Sequence, residues 1–410
     1  MNAATPANKP LRTNVRRPDV MELVSAEVAR HYHSSIVEKI RDRGGRLVVG
    51  NTTVQLAKEF GFCYGVERAI DLAYASRRVF PEQRIFLIGE IIHNPDVNQQ
   101  LRDMNIVSLP WRELGAAYDA LTADDVVIVP AFGAPTEFMK KIAARGCQVV
   151  DTTCGDVMKV WRRVRSYARD GITSVIHGKM NHEETRATAS RALGEHGDGH
   201  FLVVLTLADV AAVGDYATGR DRDRAAFLGR FAGSYSPGFD PDLHLGKLGV
   251  ANQTTMLKNE TEEIQRRLRA AIVERDGTDA NFALADTICG ATQERQDALF
   301  ELLADPPDVL LVVGGYNSSN TAHLVEIGEG CVPTFFIRDA ARLKSLEEIV
   351  HFDLHRSEEV TSAYSQLLLG PQPVRVGITA GASCPNNLIE ETIFRVFALR
   401  GIDRALVASA

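Results

Sequence analysis

The chain has 410 residues, 45% of them apolar and 24% charged, enough to bury the cores of about two or three domains. That composition excludes wholesale disorder, a fibrous repeat and a small disulfide-stapled fold. Its 46 basic residues stand against 53 acidic ones, for a net charge of -7; this disfavours a dedicated nucleic-acid binder and leaves room only for local basic patches.

Residues 1–55 read as a polar N-terminal extension, with a helical pattern over 24–41 and a turn at Gly44-Gly45. The extension lacks the apolar run of a secretory signal, and its first serine is Ser25, unlike a Ser-rich plastid transit peptide. The expected location is therefore the cytoplasm rather than the plastid stroma. No stretch approaches the roughly 18–20 apolar residues of a membrane span, so no membrane partner is expected.

Beyond the extension, short β-branched runs alternate with amphipathic segments. The runs predict strands over 84–88, 126–129, 173–176, 201–205, 248–251, 309–313, 334–337 and 374–378. Helical periodicity covers 66–76, 137–145, 157–169, 260–274, 293–303 and 388–399. Such alternation predicts the α/β class with small, mostly parallel sheets, in modules at 56–153, 154–285 and 286–410. The charged, Gly-rich stretch 215–241 reads as an insertion or long loop in the second module.

Six cysteines form no close pair, and in a large chain of this kind they read as free thiols, metal ligands or nucleophiles. Cys63, Cys154 and Cys289, spaced by 91 and 135 residues, each stand just before a helix-forming segment. A helix N-terminus favours the thiolate that metals need. Spacing alone leaves two readings open: three thiols converging on one point, or three unrelated buried cysteines.

Polar clusters follow nearly every predicted strand: GEIIHN from Gly89, PAFG from Pro130, HGKMNHEE from His177, NQTT from Asn252, GGYNSSN from Gly314 and TAGAS from Thr379. Ligands of open α/β sheets bind at those strand ends, and hydroxyls, amides and helix N-termini are what anion cradles are made of. Singly, Ser318, Ser319, Asn320, Thr254 or His182 reads equally well as a helix cap. There is no P-loop, no GxGxxG after the first strand and no GxSxG elbow, which disfavours the commonest phosphate, dinucleotide and serine-nucleophile chemistries.

Taken together, the segments GFCYGVERAI, EIIHNPDVNQQL, DTTCGDVMKV, HGKMNHEET, NQTTM, DTICGATQERQ, VVGGYNSSNTAHLVEI and GITAGASCPNNLIEE resemble the IspH/LytB family of 4-hydroxy-3-methylbut-2-enyl diphosphate reductases, in family order from about residue 60 to residue 395. The N-terminal extension and the wording HGKMNHEET resemble the longer cyanobacterial and plant-type branch. The resemblance implies three α/β modules arranged pseudo-threefold around one [4Fe–4S] cluster per chain. Cys63, Cys154 and Cys289 match its three ligands, leaving one iron open. The implied reaction is reductive loss of the substrate hydroxyl, giving isopentenyl and dimethylallyl diphosphate in the last step of the methylerythritol phosphate pathway.

His93, His182, Thr254, Ser318, Ser319, Asn320 and Ser383 match the family's substrate positions, with Thr255 and Asn317 as neighbouring candidates. Glu184 matches the proton donor, with Thr254 and His182 as catalytic companions; a carboxyl buried beside an anionic ligand keeps a proton near neutrality. Phe132 stands where shorter bacterial members carry a substrate-contacting His. Cys147 and Cys331 read as packing residues, and Cys384 as lying near the site without ligating. The expected electron donor is reduced ferredoxin or flavodoxin, docking on the basic segment of Lys159, Arg162, Arg163, Arg165 and Arg169. The rival readings are a non-catalytic iron–sulfur carrier or sensor, a zinc protein, or a metal-free phosphate transferase; a structural zinc site usually has four ligands, often in close pairs.

Overall fold

A computed structural model describes residues 11–285, 287–363 and 372–410. From the N-terminal side come β1 (Leu11–Arg12), α1 (Pro18–Tyr32), α2 (Ser35–Asp42), β2 (Arg46–Val49), β3 (Thr52–Leu56) and α3 (Tyr64–Val79). Next are β4 (Ile85–Ile88), α4 (Pro95–Asp103), β5 (Ile106–Leu109), α5 (Ala116–Asp119), β6 (Val126–Val129), α6 (Thr136–Arg145) and β7 (Gln148–Asp151). The middle holds α7 (Gly155–Arg169), β8 (Thr173–His177), α8 (Glu183–Ala192), β9 (Phe201–Val204), α9 (Leu207–Thr218) and α10 (Arg224–Arg230). There follow α11 (Pro241–His244), β10 (Leu248–Asn252), α12 (Lys258–Asp276), β11 (Phe282–Ala283), α13 (Gly290–Ala304), β12 (Val309–Val313), α14 (Ser319–Glu329) and β13 (Thr334–Ile337). The chain continues through β14 (Ile349–Asp353), β15 (Glu358–Ser362), β16 (Val374–Ala380), α15 (Asn386–Leu399) and α16 (Arg404–Ser409).

The first of two compact units takes the segment ending at Val15, Ser76–Ile91 and Met104–Cys289. It holds two parallel sheets. One has the order β1-β7-β6-β4-β5, the other β11-β10-β8-β9. Strands β6, β8, β9 and β10 are buried along their whole length, as parallel strands covered on both faces must be. Helix α7 lies close enough to β10 that a Cβ at Gly249 would come within 2.7 Å of the Tyr167 ring, and the Tyr167 hydroxyl donates to the Val250 carbonyl at 3.2 Å.

The second unit takes Arg16–Ala75, Ile92–Asp103 and Gly290–Ala410. Its sheet runs β13-β12-β16-β3-β2, parallel except for the β2–β3 pair, and β14 and β15 form a separate antiparallel pair. The strands contributed by 46–56 thus lie in one sheet with strands from 309–380, and Ile36, Val37 and Ile40 of α2 enter the same core. Leu11 and Arg12 pair with β7 in the other unit's first sheet.

Two segments differ from their sequence pattern. The helical stretch 24–41 breaks at His33-Ser34, because extended Ser34 turns its hydroxyl to accept from the Val37 N–H at 3.1 Å and starts a new helix. The stretch 215–241 is largely structured: α9 runs to Thr218, α10 and α11 follow, and Phe227, Phe231 and Phe239 pack with Val210 and Tyr216. Its surface charges mask these aromatic anchors in the sequence. No helix among the described residues is long and apolar enough to cross a membrane.

Candidate active site

In the first unit the loops after β8 and β10 assemble an acid, an imidazole and a hydroxyl. Parallel pairing of β8 with β10 sets His177 beside Asn252, so the two following loops leave the sheet together. Glu184, in the first turn of α8, is only 2% exposed. One of its carboxylate oxygens accepts the Thr254 N–H at 2.6 Å and the other the Thr254 hydroxyl at 3.0 Å. His182 caps α8, its Nδ1 accepting the Glu184 N–H at 3.1 Å. An accepting Nδ1 puts the neutral ring's proton on Nε2, where it is a donor. The Phe132 ring meets His182 edge-on at 5.9 Å, so the aromatic packs against one of the substrate candidates.

The same loops reach two of the cysteines through the backbone. The Thr254 carbonyl accepts the Cys289 N–H at 3.3 Å, and the Ala131 carbonyl beside Phe132 accepts the Cys154 N–H at 2.9 Å. Thr255 turns elsewhere and accepts from the Gln253 amide at 2.8 Å. Gln253 is a hub that sequence reasoning passed over: its amide oxygen accepts from the Thr185 hydroxyl at 3.0 Å and the Lys179 N–H at 3.2 Å.

In the second unit His93, Asn317, Ser383 and Asn320 form a connected group. The Asn317 amide donates to His93 Nδ1 at 3.1 Å, leaving Nε2 again as the donor. The Ser383 hydroxyl donates to the His93 carbonyl at 3.1 Å. A Cβ at Gly315 would lie 2.3 Å from that carbonyl, so only glycine allows this approach. Ser318 caps α14, accepting the Thr321 N–H at 3.3 Å, and Ser319 and Asn320 occupy the first turn. Asn320 accepts the Ala382 N–H at 2.9 Å, while its own buried amide nitrogen has no partner among the described residues. An unfilled donor at the positive end of an eleven-residue helix suits an anionic ligand. The Ala382 carbonyl accepts the Cys63 N–H at 3.3 Å. All seven substrate candidates are buried.

Cys63, Cys154 and Cys289 are free thiols, partly exposed, and each immediately precedes a helix of 15 or 16 residues: α3, α7 and α13. Three soft sulfur donors, all accessible and none in a disulfide, fit an iron–sulfur cluster. The remaining cysteines differ. Cys147 is buried, its thiol donating to the Thr122 carbonyl at 3.2 Å. Cys384 is buried beside Ser383, and burial pushes its thiol well above the ordinary range. Cys331 is exposed in the turn after α14 and is not a packing residue as its apolar character suggested; Val332 beside it packs instead.

Arg295 is a second residue that the sequence reading missed. It is 3% exposed on α13 and donates to the Gly61 carbonyl at 2.8 and 3.2 Å and to the Phe62 carbonyl at 3.2 Å, fixing the turn into Cys63. The signal was there: a cation at helical spacing with buried Thr292, Leu299 and Leu302. Replacing Arg295 by Met leaves buried carbonyls without donors. Thermal unfolding is expected to show a loss of about 2–4 kcal/mol, together with weaker iron retention.

The family model for LytB protein matches residues 54–397. A 4-hydroxy-3-methylbut-2-enyl diphosphate reductase of Thermosynechococcus vestitus is 44% identical over 385 residues, 93% of each chain. A reductase of the same name from a Synechococcus strain is 46% identical, covering 92% of this chain and 93% of its own. Among solved structures, an (E)-4-hydroxy-3-methyl-but-2-enyl diphosphate reductase, described as the terminal enzyme of the non-mevalonate pathway, superposes with a TM-score of 0.51 at 26% identity, over 84% of this chain and 99% of that one. The reductase structure from Plasmodium falciparum shares the fold, with a TM-score of 0.61 at 21% identity over 83% and 86% of the two chains. Its cysteines, its strand-end loops and a family match over most of its length lead to one conclusion: the chain belongs to the LytB protein family.

Proposed function

We propose that the chain reduces 4-hydroxy-3-methylbut-2-enyl diphosphate, using two electrons and two protons to release the hydroxyl as water and form isopentenyl and dimethylallyl diphosphate. Relatives named for this reduction match over nine-tenths of the chain. The observation that carries the reading is Glu184: a buried carboxyl clasped by Thr254, whose carbonyl in turn holds the N–H of Cys289. An acid placed one residue from a thiolate ligand suits a reaction that needs electrons and protons at one place.

We assign Cys63, Cys154 and Cys289 as ligands of one [4Fe–4S] cluster. Three thiolates for four irons leave a position open, and when bound the cluster supplies the electrons and a Lewis-acidic site for the leaving oxygen. Everything else falls to the chain's own residues. His93 and His182, each with Nδ1 occupied, offer Nε2–H to an anion. Ser318, Ser319 and Asn320 offer hydroxyls and an amide donor to the diphosphate, and Ser383 joins them when its one hydroxyl proton turns from the His93 carbonyl to the ligand. The Thr254 hydroxyl donates to Glu184 in the resting arrangement; when it rotates to accept from a protonated Glu184, its own proton becomes available for transfer.

Anaerobically purified protein is expected to be brown, to contain about four irons per chain and to convert the substrate into both five-carbon diphosphates. Colourless protein containing zinc or no metal would overturn the assignment. Brown protein without turnover would point to a carrier or sensor.

Reduced ferredoxin or flavodoxin is the proposed donor, in the cytoplasm, docking on the exposed arginines of α7. Reversing Arg163 and Arg169 to Glu is expected to slow donor-driven turnover about tenfold at low salt while leaving turnover with a small chemical reductant unchanged. Equal losses with both reductants would remove the docking face.

A further inference from the structure

The first unit contains a cavity of about 650 Å³ lined by six cations, Arg12, Lys140, Lys159, Arg162, Arg165 and Arg191, against one carboxylate, Asp151. Asp151 pairs with Arg12 at 2.9 Å, and Lys159 pairs with Asp156 at 2.6 Å. Lys140, Arg162, Arg165 and Arg191 form no ion pair among the described residues, although Asp151 lies near enough to Arg191 to attract it.

Arg191 is the unusual member. It is 6% exposed, stacks with its guanidinium carbon 3.5 Å from the centre of the Trp161 ring, and spends one terminal nitrogen on the Ala187 carbonyl and the Ser190 hydroxyl. Its Nε has no partner among the described residues, nor has the buried indole N–H of Trp161. Burial first, then the nearby Arg165 and Arg12, outweigh the attraction of Asp151 and lower its pKa to about 9. With Asp151 already paired to Arg12, an arginine held this deep beside other cations is electrostatically costly unless a further anion joins it. Met139, Met158 and Trp161 add apolar wall next to the cations. The volume lies in the small-molecule range of roughly 300–1,000 Å³.

We propose that this cavity is a second anion site, which binds a diphosphate carrying a short apolar tail. It differs in chemistry from the neutral hydroxyls, amides and imidazoles assigned to the substrate: fixed positive charge holds the diphosphate, and the tail lies along the methionines and the indole. A free diphosphate offers the same head without the tail. The site does not depend on the reductase reading, whose failure would appear in turnover and not in binding here.

The test is calorimetric titration of the cluster-loaded protein with geranyl diphosphate and, separately, with inorganic diphosphate. It compares wild type with the triple variant Lys140→Ala, Arg162→Ala, Arg165→Ala, in which all three replaced side chains are exposed. Wild type is expected to show a binding step that weakens at least about tenfold in the triple variant and survives Ser318→Ala. Tighter binding of the prenyl compound than of inorganic diphosphate supports the tail-binding wall. Equal affinity for the two overturns the tail and leaves a bare diphosphate site. Identical isotherms for wild type and triple variant overturn the proposal, as does loss of the step in Ser318→Ala. If neither diphosphate binds and the triple variant loses only its response to an acidic donor protein, the cavity is a protein-docking feature and the proposal fails.

Discussion

Glu184→Gln is expected to keep its iron and bind substrate, yet to lose turnover by roughly 10²–10⁴-fold, the range of a general acid. The geometry makes this a clean substitution. The amide oxygen of Gln can still accept the Thr254 N–H, and the Thr254 hydroxyl, which either donates or accepts, can reverse to accept from the new NH₂. Shape and both hydrogen bonds to Thr254 survive while the transferable proton is removed. Single-turnover rates after chemical reduction of the cluster, with iron content measured on the same sample, check the expectation. Full iron with near-normal turnover would move the proton source away from Glu184, and His182 would be the next residue to replace.

The second large effect belongs to the cysteines. Ser at position 63, 154 or 289 is expected to strip most of the iron, because a hydroxyl is a poor exchange for a soft thiolate. The controls follow from the structure. Cys331→Ser changes an exposed side chain, and Cys147→Ser keeps a donor for the Thr122 carbonyl. Both are expected to hold iron near the wild-type level, measured by iron and labile sulfide content after anaerobic purification. A control losing as much iron as the three assigned positions would break the ligand assignment.

Much of the fold was legible because apolar runs between turn residues are a strong signal. Strands at 126–129, 309–313 and 334–337 have the bounds their periodicity predicts. Strands Ile106–Leu109 and Gln148–Asp151 were not predicted: IVSL and QVVD mix polar residues into only four positions, leaving no unbroken apolar run of the kind that marks 126–129. The role of 46–56 was hidden for another reason: pairing across a long stretch of chain leaves no local trace. The candidate site was legible wherever chemistry-bearing residues crowd a strand end, as at 252–255 and 314–320. It was illegible where a residue works from a helix flank, as Arg295 does, or as a hub between loops, as Gln253 does. Cys331 misled because a cysteine's identity says little about its depth.

The pairing of β3 with β16 also bears on how the chain is made. These parallel partners lie roughly 320 residues apart, and β2 depends on β3 in turn. At about 5–20 residues per second on the ribosome, β3 emerges some 15–60 s before the strand that will flank it exists. During that interval Val54 and Leu56 of β3 and the buried face of α2 lack the strands that cover them in the native core, while both sheets of the first unit can already form from residues up to Cys289, β1 included. The nascent chain therefore carries an unsatisfied strand edge through most of its synthesis, the kind of surface that chaperones hold and that pairs with neighbouring chains when they do not. A product that terminates before Val374 never closes this sheet, so premature termination yields an aggregation-prone chain rather than a shortened enzyme.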